Sequence, residues 1–253
     1  MPELGLSAGD LVWVAGAAVL AGLVRGFAGF GTALLYVPLA SLALPPLWVL
    51  VTLTVMDLIG PLPNLPRAWR DGRPRQVAAL AAVAALTLLP GLWLLDRLPA
   101  AGFRWTVGLL CLATVALMIS GWRWSGRMSP GVIATAGGLS GFLGGISGLA
   151  GPPVILTYMA APLPAAVIRA NLMMYLVAWD ALFGAVLLAT GRLALEPVLI
   201  GAGLVPLYLL ANWVGGRIFT TGHGGERLYR GVAYALIAGA ALLALGSGFK
   251  SAS

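Results

Sequence analysis

Apolar residues run along this chain in stretches of about twenty, separated by short loops that carry arginine. The stretches lack the alternation of two that a half-buried strand shows. A helix of about 20 apolar residues crosses the roughly 30 Å hydrocarbon core of a bilayer. Backbone inside that core must satisfy its own hydrogen bonds, which leaves helices or a closed barrel, and barrel strands would alternate. The pattern therefore predicts an all-α fold, a polytopic transmembrane helical bundle. Eight elements are expected: a glycine-interrupted stretch at 11–43, then 46–65, 77–95 and 103–121; a second interrupted stretch at 132–161, then 165–190, 195–219 and 228–245.

The two sets of four match each other. Gly22-Leu-Val-Arg-Gly26-Phe-Ala-Gly29 aligns with Gly141-Phe-Leu-Gly-Gly145-Ile-Ser-Gly148 at a shift of about 119 residues. The same shift lays Leu44-Pro45 on Leu163-Pro164 and Gly72-Arg73 on Gly191-Arg192, and Phe103-Arg104-Trp105 meets Leu228-Tyr229-Arg230 after a short insertion. Residues 1–122 then form a first transmembrane repeat, 123–129 a polar linker and 130–253 a second repeat, within one integral membrane domain. In each copy, glycines interrupt the first stretch near its middle: 26, 29 and 31, then 145, 148 and 151. Pro152-Pro153 follow in the second copy, and proline inside a helix forfeits a hydrogen bond. Each interrupted stretch reads as a helical hairpin with a glycine-rich turn at membrane depth, tolerated where protein buries it or where it lines a wet cavity.

Composition agrees: 60% of residues are hydrophobic and 9% charged, with a mean hydropathy of +0.97, against about 25% charged in a soluble domain. The net charge of +7 lies in loops, with no basic arm and no aromatic–basic interleaving, so nucleic acid is not an expected partner. If each hairpin enters and leaves on one side, nine basic residues (Arg67, Arg70, Arg73, Arg75, Arg123, Arg127, Arg217, Arg227 and Arg230) face the cytoplasm, and Arg97, Arg104, Arg192 and Lys250 lie outside with the acidic Glu3 and Asp10. Counting the hairpins as single crossings gives eight against five with the acidic segment inside, a poorer fit to the positive-inside rule. The favoured arrangement makes the repeats inverted, each with one hairpin and three full spans, the plan of many secondary transporters. The first ten residues carry no basic n-region, so the first apolar run reads as part of the mature protein. Lys250 is the only lysine and Cys111 the only cysteine. The arginine bias suggests a GC-rich bacterial genome and hence a bacterial inner membrane, and a lone cysteine inside an apolar run forms no internal disulfide.

The spacing Gly22-x3-Gly26-x2-Gly29-x-Gly31 with Pro38 downstream resembles the first-repeat signature of the sulfite exporter TauE/SafE family. Gly141-x3-Gly145-x2-Gly148-x2-Gly151-Pro-Pro, followed by Pro164 and Arg169-Ala-Asn171, resembles its second copy. The resemblance covers nearly the full chain. Each glycine motif alone is weak, since small-xxx-small patterns are common in membrane helices; two copies at this separation are far more specific. The resemblance implies a transporter of small sulfur-containing anions, exporting sulfite or an organosulfonate. One departure bears on substrate rather than fold: the family commonly has a glycine run at the first turn, whereas here Thr32 and Ala33 follow Gly31 and Arg25 stands upstream.

Charge at bilayer depth is costly and usually has a partner or a task. Arg25, just before the first turn, offers a fork of donors to an oxyanion; snorkelling or an ion pair is the competing reading. Arg169, with Asn171 two residues on, either faces the same cavity or anchors a helix at the interface. Asp57 and Asp180 are the carboxylates well inside apolar spans, candidates for proton coupling or for ion pairs with those arginines. At the turns, Gly29, Gly31, Gly148 and Gly151 let backbone approach a ligand, helix N-termini attract anions, and Thr32 and Ser147 add hydroxyls; the competing reading is helix packing alone. The expected site holds the anion between the two turns, neutralised by Arg25 and Arg169. Asn64, Tyr175 and Asn212 read as interhelical polar contacts. Trp48, Trp69, Trp93, Trp105, Trp122 and Trp124 fall near element ends, as an interfacial belt does.

Three rivals were weighed. Gly138-Leu-Ser140-Gly and Gly145-Ile-Ser147-Gly match the short form of an intramembrane serine protease motif, but His223, the only histidine, lies in a polar loop beside Glu226, and a nucleophile needs a base within reach. One Cys and one His give no metal cluster, and no cofactor is implied. A membrane scaffold without substrate gains little from intramembrane Arg and Asp. No nucleotide-binding motif is present. The oligomeric state is open, a homo-oligomer included.

Overall fold

The structure, a computed structural model, describes residues 6–28, 31–120, 128–221 and 225–252. Gly29, Arg123, Arg127, Trp122, Trp124 and His223 lie outside the described residues, as do the side chains of Glu226, Arg227, Arg230 and Lys250. The described chain is helical: α1 (Ala8–Ala28), α2 (Thr32–Ala40), α3 (Pro46–Ile59), α4 (Leu65–Asp71), α5 (Pro74–Leu95), α6 (Ala100–Ile119), α7 (Pro130–Ser147), α8 (Gly151–Ala160), α9 (Ala165–Ala189), α10 (Leu195–Thr221) and α11 (Gly225–Ala252).

Local chemistry explains where several helices start. Ser7 Oγ accepts from the Asp10 amide at 3.1 Å while Asp10 Oδ2 accepts from the Ser7 amide at 2.9 Å, a reciprocal cap on α1. Ser129 Oγ takes the Val132 amide ahead of α7. Pro46, Pro74 and Pro130 open their helices, where the missing N–H has no intrahelical partner to lose. Pro152 and Pro153 do the same in the first turn of α8, so they begin a new helix rather than bend an old one.

Among the described residues, six helices are long and apolar enough to cross a membrane: α1, α5, α6, α9, α10 and α11. In most of these spans only a third of the residues are buried, and Val12, Leu86, Leu109, Leu188 and Leu242 are exposed, as lipid-facing positions should be. The interrupted stretches each pair a longer helix with a short one, α1 with the nine-residue α2 and α7 with the ten-residue α8. One span differs from expectation. Residues 46–65 do not form a single helix: α3 stops at Ile59, and a 3-10 turn over Leu62–Asn64 leads into α4. Gly60, Pro61, Pro63 and Pro66 fall within seven residues, and each proline lacks the donor needed to carry α3 on. At about 21 Å α3 is short of a full crossing.

The chain divides into two compact units. The first comprises Met1–Met56, Leu98–Val115 and Leu195–Ser253; the second comprises Asp57–Arg97 and Ala116–Ala194. In the first, α1 packs along α10, and α2 packs against α1 and α11. In the second, α7 packs along α5, α9 against α4 and α5, and α8 against α7 and α9.

The same contact builds both long pairings. Within the first unit, a β-carbon on Gly26 would collide with the Asn212 carbonyl and come within 2.9 Å of Gly215 Cα, and one on Gly215 would collide with the Leu23 carbonyl. Within the second, a β-carbon on Gly145 would lie 2.6 Å from the Leu88 carbonyl and 3.0 Å from Gly91 Cα, and one on Gly91 would collide with the Phe142 carbonyl. Leu23 and Phe142, like Gly26 and Gly145, are 119 residues apart. Small residues here let backbones touch, which is how helices gain packing energy without a hydrophobic driving force in lipid.

Candidate functional site

The first interruption lies between α1 and α2. Gly31 sits at φ 99°, ψ 6° as the N-cap of α2 and offers no side-chain cap; only glycine adopts that left-handed turn without strain. Arg25 is in the last turn of α1, where its charge suits the negative end of the helix dipole. Its Nη1 donates to Thr32 Oγ1 at 3.1 Å. Thr32 is the first residue of α2, 2% exposed, and its hydroxyl also meets the Tyr208 hydroxyl of α10 at 3.2 Å. A guanidinium, a threonine hydroxyl, a tyrosine hydroxyl and the first-turn amides of α2 thus converge at one break in the helix. Guanidinium and hydroxyl donors beside a helix N-terminus suit an oxyanion.

The packing around α2 holds this cluster in place. Tyr36 donates to Thr52 Oγ1 of α3 at 2.8 Å, Trp13 Nε1 to the Leu39 carbonyl at 2.8 Å, and Arg104 Nε to the Ser41 carbonyl at 2.9 Å. The last two tie the C-terminal end of α2 to α1 and α6, the Leu39 carbonyl also accepting the Leu42 amide at 3.2 Å.

The second interruption is built differently. Gly148 takes the left-handed conformation, φ 74°, as the C-cap of α7, and its amide bonds the Gly144 carbonyl at 2.8 Å. Gly151 opens α8. Ser147 Oγ donates to the Leu143 carbonyl at 2.6 Å and accepts from the Leu149 amide at 3.3 Å, so its hydroxyl stitches the turn to itself. Ser140 donates to the Ala150 carbonyl, and the Tyr175 hydroxyl therefore donates to Ser140 at 2.6 Å. Tyr175 is the interhelical contact its position suggested, joining α9 to α7. Among the described residues, the hydrogen-bond partners of these two serines are backbone groups and Tyr175.

Deeper in the second unit, Asn171 of α9 is fully buried. Its Oδ1 accepts the Arg73 amide at 2.6 Å, while its Nδ2 meets no hydrogen-bond partner among the described residues. Nearby on α8, Tyr158 donates to Gln76 Oε1 of α5 at 3.3 Å. Arg169, two residues before Asn171, is exposed; that spacing turns the two side chains to opposing faces of α9. Asp180 is buried in α9 at 6% exposure, and Asp57 is half-buried in α3.

Among the expected site residues, Arg25, Gly31 and Thr32 are thus brought together, and Ser147, Gly148 and Gly151 form a second turn. Asn64 is exposed at the start of α4 rather than inside a span, and Asn212 meets Gly26 through its backbone. Trp69, Trp93 and Trp105 are exposed, as belt residues are. Sequence reasoning does not reach Tyr208 or Tyr158, and it reads Ser140 only as part of a protease-like motif rather than as the partner of Tyr175. Each is a lone polar group in an apolar run, and its partner lies on another helix.

Broken helix pairs with polar groups at the break, set among six membrane-length apolar helices, define a multi-pass membrane protein of the transporter kind. The sulfite exporter TauE/SafE family model matches residues 14–243, and the chain belongs to that family. It is a family of membrane transporters, not of enzymes. Neither the curated proteins nor the solved structures yielded a match.

Proposed function

We propose that this protein is a secondary transporter that exports a small sulfur-containing anion, sulfite or an organosulfonate, across a bacterial cytoplasmic membrane by alternating access. The cluster of Arg25, Thr32 and Tyr208 carries the reading. Arg25 supplies charge, Thr32 fixes its guanidinium, and the amides at the start of α2 add donors that need no side chain. Family membership supports transport of this chemical class. The glycine contact shared by the two units supports a duplicated chain, and inverted repeats with broken helices are suited to alternating access. Within the second unit, the turn of Ser147, Gly148 and Gly151 and the buried Asn171 are a separate polar feature, and Arg169 lies on the face of α9 opposite to Asn171. Asp180, and after it Asp57, are the groups to carry a coupling proton.

Flux in proteoliposomes tests this, with sulfite, a short sulfonate, sulfate and chloride offered in turn, with and without a pH gradient. Saturable sulfite or sulfonate flux that Arg25→Ala abolishes, in protein still folded and inserted, is the expected result. Wild-type flux in Arg25→Ala removes the binding assignment; no flux of any of these anions through folded wild-type protein removes the substrate class.

A further inference from the structure

The second unit contains a cavity of about 750 Å³ that belongs to neither helix break. Its wall is apolar, from Leu89, Leu92 and Trp93 near the end of α5, and its rim is polar, from Asp96, Thr190 and Arg192. Pro90 also lines it. The residues on and near it in sequence are exposed and apolar, as lipid-facing positions are: Leu86 is 75% exposed, Leu89 53%, Trp93 57% and Leu188 69%.

The rim has an uneven charge. Arg192 pairs with Asp96 through Nη2, which occupies one of five guanidinium donors. Arg97 follows Asp96 in the chain, its Cζ 3.4 Å from the centre of a Trp93 ring and its Nη1 donating to the Trp93 carbonyl at 3.0 Å. One guanidinium pairs with the carboxylate and a second lies over the Trp93 ring that lines the groove, so the three charges sum to one positive charge beside an apolar surface. In a bilayer the molecule that matches an apolar wall and a cationic rim is one with an acyl chain and a phosphodiester.

We propose that this cavity binds an anionic phospholipid, with an acyl chain along Leu89 and Trp93 and the headgroup phosphate at Arg192 and Arg97. The phosphate's single negative charge balances the rim. Asp96 holds Arg192 in position but also competes for it, so the carboxylate weakens anion binding while it orders the arginine.

The test is thermal unfolding of the purified full chain in detergent, titrated with phosphatidylglycerol, with phosphatidylcholine of the same chains, and with glycerol 3-phosphate. Saturable stabilisation by phosphatidylglycerol alone is expected. Arg192→Gln and the exposed Arg97→Gln should each weaken it by roughly tenfold, the scale of a lost charge-assisted hydrogen bond. Asp96→Asn should lower basal stability yet tighten the lipid response. Equal stabilisation by phosphatidylcholine would overturn the headgroup assignment, and equal stabilisation by glycerol 3-phosphate would overturn the lipid. An unchanged phosphatidylglycerol response in Arg97→Gln together with a weakened one in Asp96→Asn would reduce the rim to a structural ion pair.

Discussion

Cys111 of α6 donates its thiol to the Leu34 carbonyl of α2 at 3.4 Å. Leu34 is four residues before Pro38, and proline has no N–H to return to that carbonyl. The lone cysteine thus fills a gap that a proline opens in the short helix next to the Arg25–Thr32 contact. Both residues are buried, so water does not replace the thiol. Cys111→Ala should cost about 1–3 kcal/mol, the penalty of an unsatisfied buried acceptor, read as a lower Tm in detergent. Cys111→Ser should retain most of the stability, since its hydroxyl donates as well. A Cys111→Ala protein with the wild-type Tm would mean that the Leu34 carbonyl finds another donor.

Glycines in this chain divide by what surrounds them. Gly26 and Gly145 each touch backbone on the facing helix, which has no flexible side chain to yield. Gly184, in α9, has open space where a β-carbon would go. Gly26→Ala and Gly145→Ala should each destabilise by about 1–3 kcal/mol through overpacking. Gly184→Ala should stabilise by up to about 1 kcal/mol through helix propensity. Unfolding in detergent gives the sign of each, and a neutral Gly26→Ala would show that α1 and α10 can separate freely.

Helix extents were legible because apolar runs end where arginine, glycine and proline interrupt them. The exception is α3, where Leu62 and Leu65 extend the apolar pattern past Gly60-Pro61, and composition hides what backbone chemistry forbids. The Arg25–Thr32 contact was within reach of sequence because only seven residues separate the pair across a glycine break. Tyr208 was not, because its approach to Thr32 depends on α1 and α10 meeting through Gly22, Gly26 and Gly215. For Arg169 and Asn171, helical periodicity already argued against a shared face: a spacing of two puts side chains about 200° apart.

Tyr208 gives a test that separates binding from folding. Its ring packs in the interior, and Tyr208→Phe keeps that packing while removing one hydroxyl from Thr32. If the cluster holds the anion, apparent KM should rise roughly fivefold, the worth of a neutral hydrogen bond, with maximal flux little changed. Thr32→Val should do more, since it removes the contacts to both Arg25 and Tyr208, and Thr32→Ser should restore them. Wild-type KM in both Tyr208→Phe and Thr32→Val would place the anion elsewhere.

Asn171 combines two roles on one amide. Its Oδ1 ties the Arg73 amide to α9, which is structural, and its buried Nδ2 makes no well-formed hydrogen bond among the described residues, with the Tyr158 hydroxyl as its polar neighbour. A native protein rarely leaves such a group unsatisfied, and either a small rotation toward Tyr158 or the proposed anion would satisfy it. Asn171→Asp preserves the acceptor and removes the donor; Asn171→Leu removes both. The Leu variant should lose about 1–3 kcal/mol of stability from the stranded Arg73 amide. The Asp variant should retain more stability than the Leu variant but raise the apparent KM for the anion by roughly tenfold or more, as a lost donor and an added repulsive charge require. If Asn171→Asp instead transports with the wild-type KM, the amide serves only the Arg73 tie.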